Sequence, residues 1–237
     1  MRKNNEKFIQ VYEGNNNNFN VKNLNKKTIY EFRICSFYND VVSSWSQIQK
    51  IETLDKECDS NILLESKNEK KYLEIIKNWC GYKKLELLYR GSRDGSTSKD
   101  FHEKCDNQGP TITLYRNDKG YIFGGYSPIS WTNEGKYKKE KNCFIFTLYN
   151  IHNTEPYKFQ TKDENEGVYH KETYGPSFGC GCDITIIEDF KKDSSCSTDF
   201  PCRYIDSLGK GKSIFTGDNN NSNQNLKIDE IEVFKLI

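Results

Sequence analysis

The chain has 237 residues, enough for one complete domain with an appendage and a substantial core. Its 35 basic and 34 acidic residues give a formal charge of +1, so no global field draws it onto nucleic acid or anionic lipid, and neither is expected as a partner. No run approaches the roughly 18 apolar residues of a membrane span, no signal-like stretch follows Met1, and nine scattered cysteines read as free thiols in a reducing compartment; the expectation is a soluble, cytoplasmic protein.

Residues 1–54 differ in character from the rest. The segments 8–14, 19–24, 28–40 and 43–53 alternate apolar and polar residues between turn-forming breaks, which predicts half-buried antiparallel strands in a short β meander. Leu24, Tyr30, Phe32 and Ile34, followed by "YNDVVSSWS", resemble the later strands of a fibronectin type III domain, whose opening strands would lie before Met1. The asparagine-rich stretches 15–18 and 218–225 read as solvated loops. Residues 55–59 read as a linker, and 60–237 as the main domain.

From residue 60 the period changes. Leu63, Leu64, Tyr72, Leu73, Ile75, Ile76 and Trp79 recur at helical spacing, with Ser60 placed to cap a first helix and Gly81 to end a second. Apolar, β-branched or aromatic runs follow at 85–90, 111–116, 121–126, 143–149, 157–160, 183–189, 213–217 and 229–236, and "NDKG" at 117–120 is a hairpin signal. Few helices separate these runs, so βαβ units are not expected. The expected fold class is α+β: a two-sheet antiparallel β-sandwich with flanking helices, preceded by the meander.

The stretch "RGSRDGSTSKDFH", Arg90 to His102, is the densest in reactive groups, yet it reads mainly as a joint. Thr97 and Asp100 have the spacing of a capping box, Phe101 and Cys105 share one helix face, and Gly95 permits the tight approach from the preceding strand. Three ordered motifs then carry a family resemblance: "LLYRGSRDGSTSKDFHEKCDNQGPTITLYRNDKGYIFGGYSPISW" (87–131), "GPSFGCGCDITI" (175–186) and "IDEIEVFKL" (228–236). Together with the two helices before them they resemble the TLDc domain. The motif positions are Arg93, Asp94, Gly95, Phe101, His102, Gly124, Gly125, Tyr126, Trp131, Phe178, Gly179, Asp183, Glu230 and Glu232. The resemblance implies a eukaryotic protein linked to oxidative-stress resistance, a protein partner such as the peripheral sector of the vacuolar proton pump (V-ATPase), and no catalytic residue set or cofactor. Cys180 and Cys182 depart from the glycine and histidine that relatives often carry there.

His102, His152 and His170 are the three histidines; no G-x-S-x-G elbow accompanies them, and His102 with Cys105 reads as part of a packed helix rather than a nucleophile and base. Glu230 and Glu232 alternate with Ile231 and Val233 and are expected on an exposed sheet face, solvated or partner-binding. Cys180, Cys182, Cys196 and Cys202, with His170 nearby, could supply four zinc ligands, but the C-x-C spacing is tighter than a zinc knuckle, and no metal or fixed disulfide is expected. "FGGY" (123–126) and Trp131 are read as close backbone approach and aromatic packing. The leading expectation is a non-catalytic interaction module; the alternative is a redox or hydrolytic enzyme using the cysteine-bearing 180–202 region or His102.

Overall fold

The structure is a computed structural model that describes all residues except 4–5, 17–20, 22–23, 26–27, 40, 54–57, 138–141, 164–166, 193–194 and 220–223. Parts of the expected strand 19–24, the asparagine-rich loops and the linker 55–59 therefore lie outside the described residues. The chain divides into two compact units, Met1–Glu57 and Cys58–Ile237.

In the first unit, β1 (Arg2–Lys3), β2 (Ile29–Phe32) and β5 (Gln49–Glu52) form an antiparallel sheet, while β3 (Phe37–Tyr38) and β4 (Val41–Val42) make a separate hairpin. The expected strand at 8–14 is not formed; Ile9 instead donates its N–H to the Met1 carbonyl at 2.8 Å. Half-burial also fails along β5, which is exposed over its whole length. Among the described residues of this unit the buried ones are Thr28, Tyr30 and Glu31, as expected of strands too short to carry a sizeable core. Stacking partly substitutes for a core, with the Arg33 guanidinium 4.1 Å from the Phe8 ring centroid and 4.3 Å from that of Trp45.

The second unit opens with α1 (Asn61–Glu65) and α2 (Glu69–Cys80). Ser60 caps the first through the Leu63 N–H, and Gly81, at φ 73°, ends the second in the left-handed conformation. Next come β6 (Leu85–Arg90), a single helical turn α3 (Gly91–Asp94), and α4 (Ser98–Cys105). Then follow β7 (Thr111–Asn117), β8 (Ile122–Ser127), β9 (Lys136–Tyr137), β10 (Phe144–Tyr149), β11 (Tyr157–Gln160), β12 (Val168–His170), β13 (Ser177–Phe178), β14 (Thr185–Ile186), β15 (Cys196–Ser197), α5 (Ser213–Thr216) and β16 (Ile228–Leu236).

One six-stranded antiparallel sheet, in the order β11-β10-β8-β7-β16-β6, runs through the unit. The alternation of its strands sorts side chains onto two cores. Ile112, Leu114, Phe144, Phe146 and Phe234 face α1 and α2 on one side. Tyr115, Phe123, Ile145, Ile231 and Val233 face the other layer, which contributes Val168, Phe178, Ile184, Ile186 and Cys196. That second layer of the sandwich is built from two short sheets, β13-β12-β9 and β14-β15, joined by loops.

Two expected strands need correction. The run 213–217 is the helical turn α5, capped by Gly217 at φ 66°. All four of its residues are buried, so it has no amphipathic stripe, and a short apolar run cannot be assigned by periodicity alone. The run 183–189 holds strand only at β14; Asp183 is tied into a loop network and Glu188 sits at φ 52°.

Candidate functional site

The joint is built from local hydrogen bonds. Thr97 accepts the Asp100 N–H at 3.2 Å and donates its hydroxyl to Asp100 Oδ2 at 2.6 Å, while the Thr97 N–H donates to the same oxygen at 3.0 Å, completing the capping box. Gly95, at φ 115°, leaves the space a Cβ would need to the Asp100 carboxylate. Arg93 places its guanidinium on both Asp94 oxygens, at 2.9 and 2.7 Å, and Asp94 in turn accepts the Arg90 N–H at 2.9 Å. The joint also clamps the second layer, since Ser98 N–H donates to the Glu188 carbonyl at 2.5 Å and Phe190 N–H to the Ser96 carbonyl at 3.1 Å.

His102 belongs to this clamp. Its Nδ1 lies 2.8 Å from Asp106 Oδ1, and its Nε2 lies 2.9 Å from the Tyr174 carbonyl and 3.1 Å from that of Lys171. Both ring nitrogens are thus engaged with fixed oxygens and neither points at a substrate space. Beneath it, Phe101 packs edge-on to Trp131 at 5.5 Å, and Trp131 donates its indole N–H to Thr111 Oγ1 at 2.8 Å and meets Phe178 at 5.7 Å. Cys105 is fully buried, and burial pushes its thiol far above the ordinary range. Tyr126 is buried against Phe144.

The other two histidines are similarly occupied. His170 Nδ1 accepts the Thr132 N–H at 3.1 Å. His152 Nε2 sits 2.8 Å from Ser213 Oγ, which looks like a base and nucleophile, but the Ser213 hydroxyl donates to the Lys210 carbonyl at 2.6 Å. The imidazole must then be the donor of the pair, and a donor nitrogen cannot take the serine proton.

Glu230 and Glu232 are where the structure overturns the expected exposed face. Glu232 is 0% exposed and Glu230 5% exposed. Glu232 accepts the Ser60 hydroxyl at 2.5 Å, the Asn61 N–H at 2.9 Å and Arg90 Nε at 2.7 Å, while Arg90 Nη2 donates to the Asp59 carbonyl at 2.5 Å. Glu230 accepts the Ser92 N–H at 3.1 Å. Strand alternation correctly groups residues by face but is silent on what covers the face. Here the start of α1 covers Glu232 and α3 covers Glu230. Ser60 is legible as a helix cap, and the buried arginine that closes the run "LELLYR" is the other sequence signal of this knot.

The four cysteines considered together do not converge. Cys196 is buried in the core and points at the Phe190 carbonyl, 3.7 Å away. Cys182, Asp183 and Cys202 do meet, with ligand-type atoms all within 4.8 Å; Cys180 and His170 are not part of that group. Cys202 Sγ lies 3.0 Å from Cys182 Sγ, and the Cys182 thiol donates to the Gly179 carbonyl at 2.8 Å. Asp183 accepts the Cys202 N–H at 2.8 Å and the Arg203 N–H at 2.7 Å, and burial raises its carboxyl to about 6 against these donors. Gly179, at φ 70°, is where a Cβ would collide with that carboxylate.

Gly124 and Gly125 face opposite cores. A Cβ at Gly124 would meet the Thr113 carbonyl oxygen and the Phe146 ring, and one at Gly125 the Phe178 ring. A shallow surface groove is lined by Ile62, Glu65, Arg116, Asp118 and Asp229, and in it Arg116 bridges Glu65 and Asp229. Among the described residues, no helix is long and apolar enough to cross a membrane.

A profile described as the TLDc domain matches residues 57–237. Human interferon-induced protein 44 is 43% identical over 65 residues, covering 27% of this chain and 14% of that protein. The MTOR-associated protein MEAK7 of Danio rerio is 32% identical over 63 residues, again 27% of this chain and 14% of the relative, and that of Gallus gallus is 26% identical over 66 residues, 28% of this chain and 14% of the relative. The aligned stretches thus span about a seventh of the curated relatives.

Proposed function

The chain belongs to the TLDc domain family, and from that premise we propose that it is a non-catalytic protein-interaction module. It acts in the cytoplasm in oxidative-stress protection, through a partner such as the peripheral sector of the vacuolar proton pump (V-ATPase). The observation that carries this reading is where the polar groups of the motifs go. Arg93, through the Leu88 carbonyl, and Asp94, His102, Asp183, Glu230 and Glu232 each hold a backbone or side-chain partner that ties one element to another. An active site keeps at least one such group aimed at open space; these are engaged within the fold. The motifs therefore define a rigid frame, and recognition falls to the surface that the frame presents.

Two further points support it. A relative bears a name that states association with another protein, MTOR. The near-neutral charge disfavours nucleic acid or anionic lipid as the binding partner. In this reading the fibronectin-like strands of residues 1–54 couple the TLDc domain to a further partner. The test is affinity capture with the full chain at physiological salt from a eukaryotic extract containing vacuolar membranes. Recovery of peripheral-sector pump subunits is expected. Capture lacking them would remove the named partner, and turnover of an ester, or of a redox substrate other than a hydroperoxide, that was lost in Cys182→Ser or His102→Ala would remove the non-catalytic assignment.

A further inference from the structure

We propose that Cys182 and Cys202 form a peroxide-responsive dithiol that closes reversibly to a disulfide, a modification site independent of the partner reading above. The pairing is tertiary: one sulfur belongs to the turn after β13, the other to the loop after β15. They lie 3.0 Å apart, with the Cys202 S–H directed at Cys182 Sγ and the Cys182 S–H at the Gly179 carbonyl. Both are partly exposed, so a small oxidant reaches them, whereas Cys58, Cys105, Cys143 and Cys196 are buried. Closing to the roughly 2.05 Å of a disulfide requires about 1 Å of approach.

The loops are held in register by Asp183, which accepts the backbone N–H groups of Cys202 and Arg203 while sitting beside Cys182 in sequence. Lys162 adds a second clasp, donating to the Pro201 and Cys202 carbonyls at 3.0 Å each. Two cysteines fixed face to face in this way have a high effective concentration for each other. A zinc ion fits this arrangement less well. Two thiolates on tetrahedral zinc stand roughly 3.8 Å apart, so the sulfurs would have to separate, and both oxygens of the only carboxylate in the group are engaged by backbone donors.

The oxidant class is a hydroperoxide. Burial, then the neighbouring Cys202, pushes the Cys182 thiol up to about 12, so it stays protonated near neutral pH. Cys182 holds its S–H on the Gly179 carbonyl and is faced by Cys202, so the reaction is drawn from Cys202: its sulfur attacks the peroxide O–O bond, that bond breaks, the alcohol or water leaves with the Cys202 proton, and Cys202 becomes a sulfenic acid. Cys182 sulfur then attacks that sulfur, the S–O bond breaks, and the hydroxide departs with the Cys182 proton as water. In sum, two thiols and one hydroperoxide give one disulfide, one alcohol (water, for hydrogen peroxide) and one water; two electrons pass from sulfur to oxygen. A monothiol such as glutathione reverses it by exchange. The crosslink ties together the ends of the segment that contains β14, β15 and the residues, Glu188 and Phe190, that grip the joint.

The experiment treats the reduced full chain with one to a few equivalents of hydrogen peroxide, blocks remaining thiols, and maps disulfides by mass spectrometry without reduction. A Cys182–Cys202 crosslink is expected at roughly tenfold or greater yield over any other cysteine pair, and only when the protein is oxidised folded rather than in urea. Its closure should raise Tm by roughly 5–10 °C, reversibly with glutathione and not in Cys182→Ser, which keeps a hydroxyl donor for Gly179. Peroxide yielding only sulfinic acid at Cys202, or a mixture of pairs without preference, would overturn the proposal. So would zinc alone binding the reduced protein at one per chain and shielding both thiols from alkylation.

Discussion

Replacing Glu232 by alanine tests the internal-frame reading most directly. The carboxylate is wholly buried and receives three donors: the Ser60 hydroxyl, the Asn61 N–H and Arg90 Nε. Alanine leaves all three without that acceptor. Arg90 keeps the Asp59 carbonyl and the more distant, largely exposed Asp59 carboxylate at 3.7 Å, but its side chain is only 10% exposed, and these do not replace the buried charge at Nε. Removing one member of a buried ion pair costs about 3–5 kcal/mol, and the unpaired hydroxyl and amide push toward the upper part of that range. We expect about 4 kcal/mol. With a urea m-value of about 2 kcal/mol/M for a unit of this size, the midpoint falls by about 2 M with m unchanged, read from Trp79 and Trp131 emission. Glu232→Gln, which keeps an acceptor and nearly the same volume, should cost about half as much. The double variant Arg90→Met, Glu232→Leu should recover most of the loss, because an apolar pair leaves no stranded charge. A midpoint shift below about 0.5 M for Glu232→Ala would show that the carboxylate is solvated after all and that the frame does not depend on it.

Gly124→Val should destabilise the second unit by about 3 kcal/mol, since the new side chain meets the Thr113 carbonyl of the neighbouring strand as well as the movable Phe146 ring; an unchanged melting temperature would refute the close approach. Asp183 gives a pH signature of unusual sign. Its folded carboxyl is raised from 3.8 to about 6, so the native state holds the proton more tightly than the unfolded chain between those values. Its contribution to stability is therefore greatest below pH 4 and falls by about 3 kcal/mol in all as pH rises through 6, most of it between pH 4 and about 6. The groups facing it are Lys162, the Cys182 thiol and the N–H groups of Cys202, Arg203 and Tyr204. Stability of the native chain relative to Asp183→Asn should decline over pH 4–6, and parallel profiles would contradict the raised carboxyl. Deleting residues 1–57 should leave 58–237 folded with an undiminished cooperative transition; recovery only as aggregate would mean that the first unit completes the core.

What the sequence determined by itself is whatever a few neighbouring residues decide. The caps at Ser60 and Gly81, the Thr97–Asp100 box, the strands 85–90 and 157–160 and the family motifs all rest on contacts within a turn or on strand alternation, and those signals are written locally. Tertiary structure decided the rest. Whether Glu232 faced water depended on Ser60 and Arg90, 172 and 142 residues away, because periodicity assigns a residue to a face and only packing supplies the neighbour. The short apolar run 213–216 became a helix because it is buried on every side, which removes the amphipathic stripe that would have identified it. His102 became a clamp through carbonyls 69 and 72 residues along the chain. Of four cysteines grouped by proximity in sequence, Cys182 and Cys202 met while Cys196 turned into the core, because thiol pairing follows the loops that Asp183 pins, and a hydrogen bond between loops leaves no periodic trace in the chain.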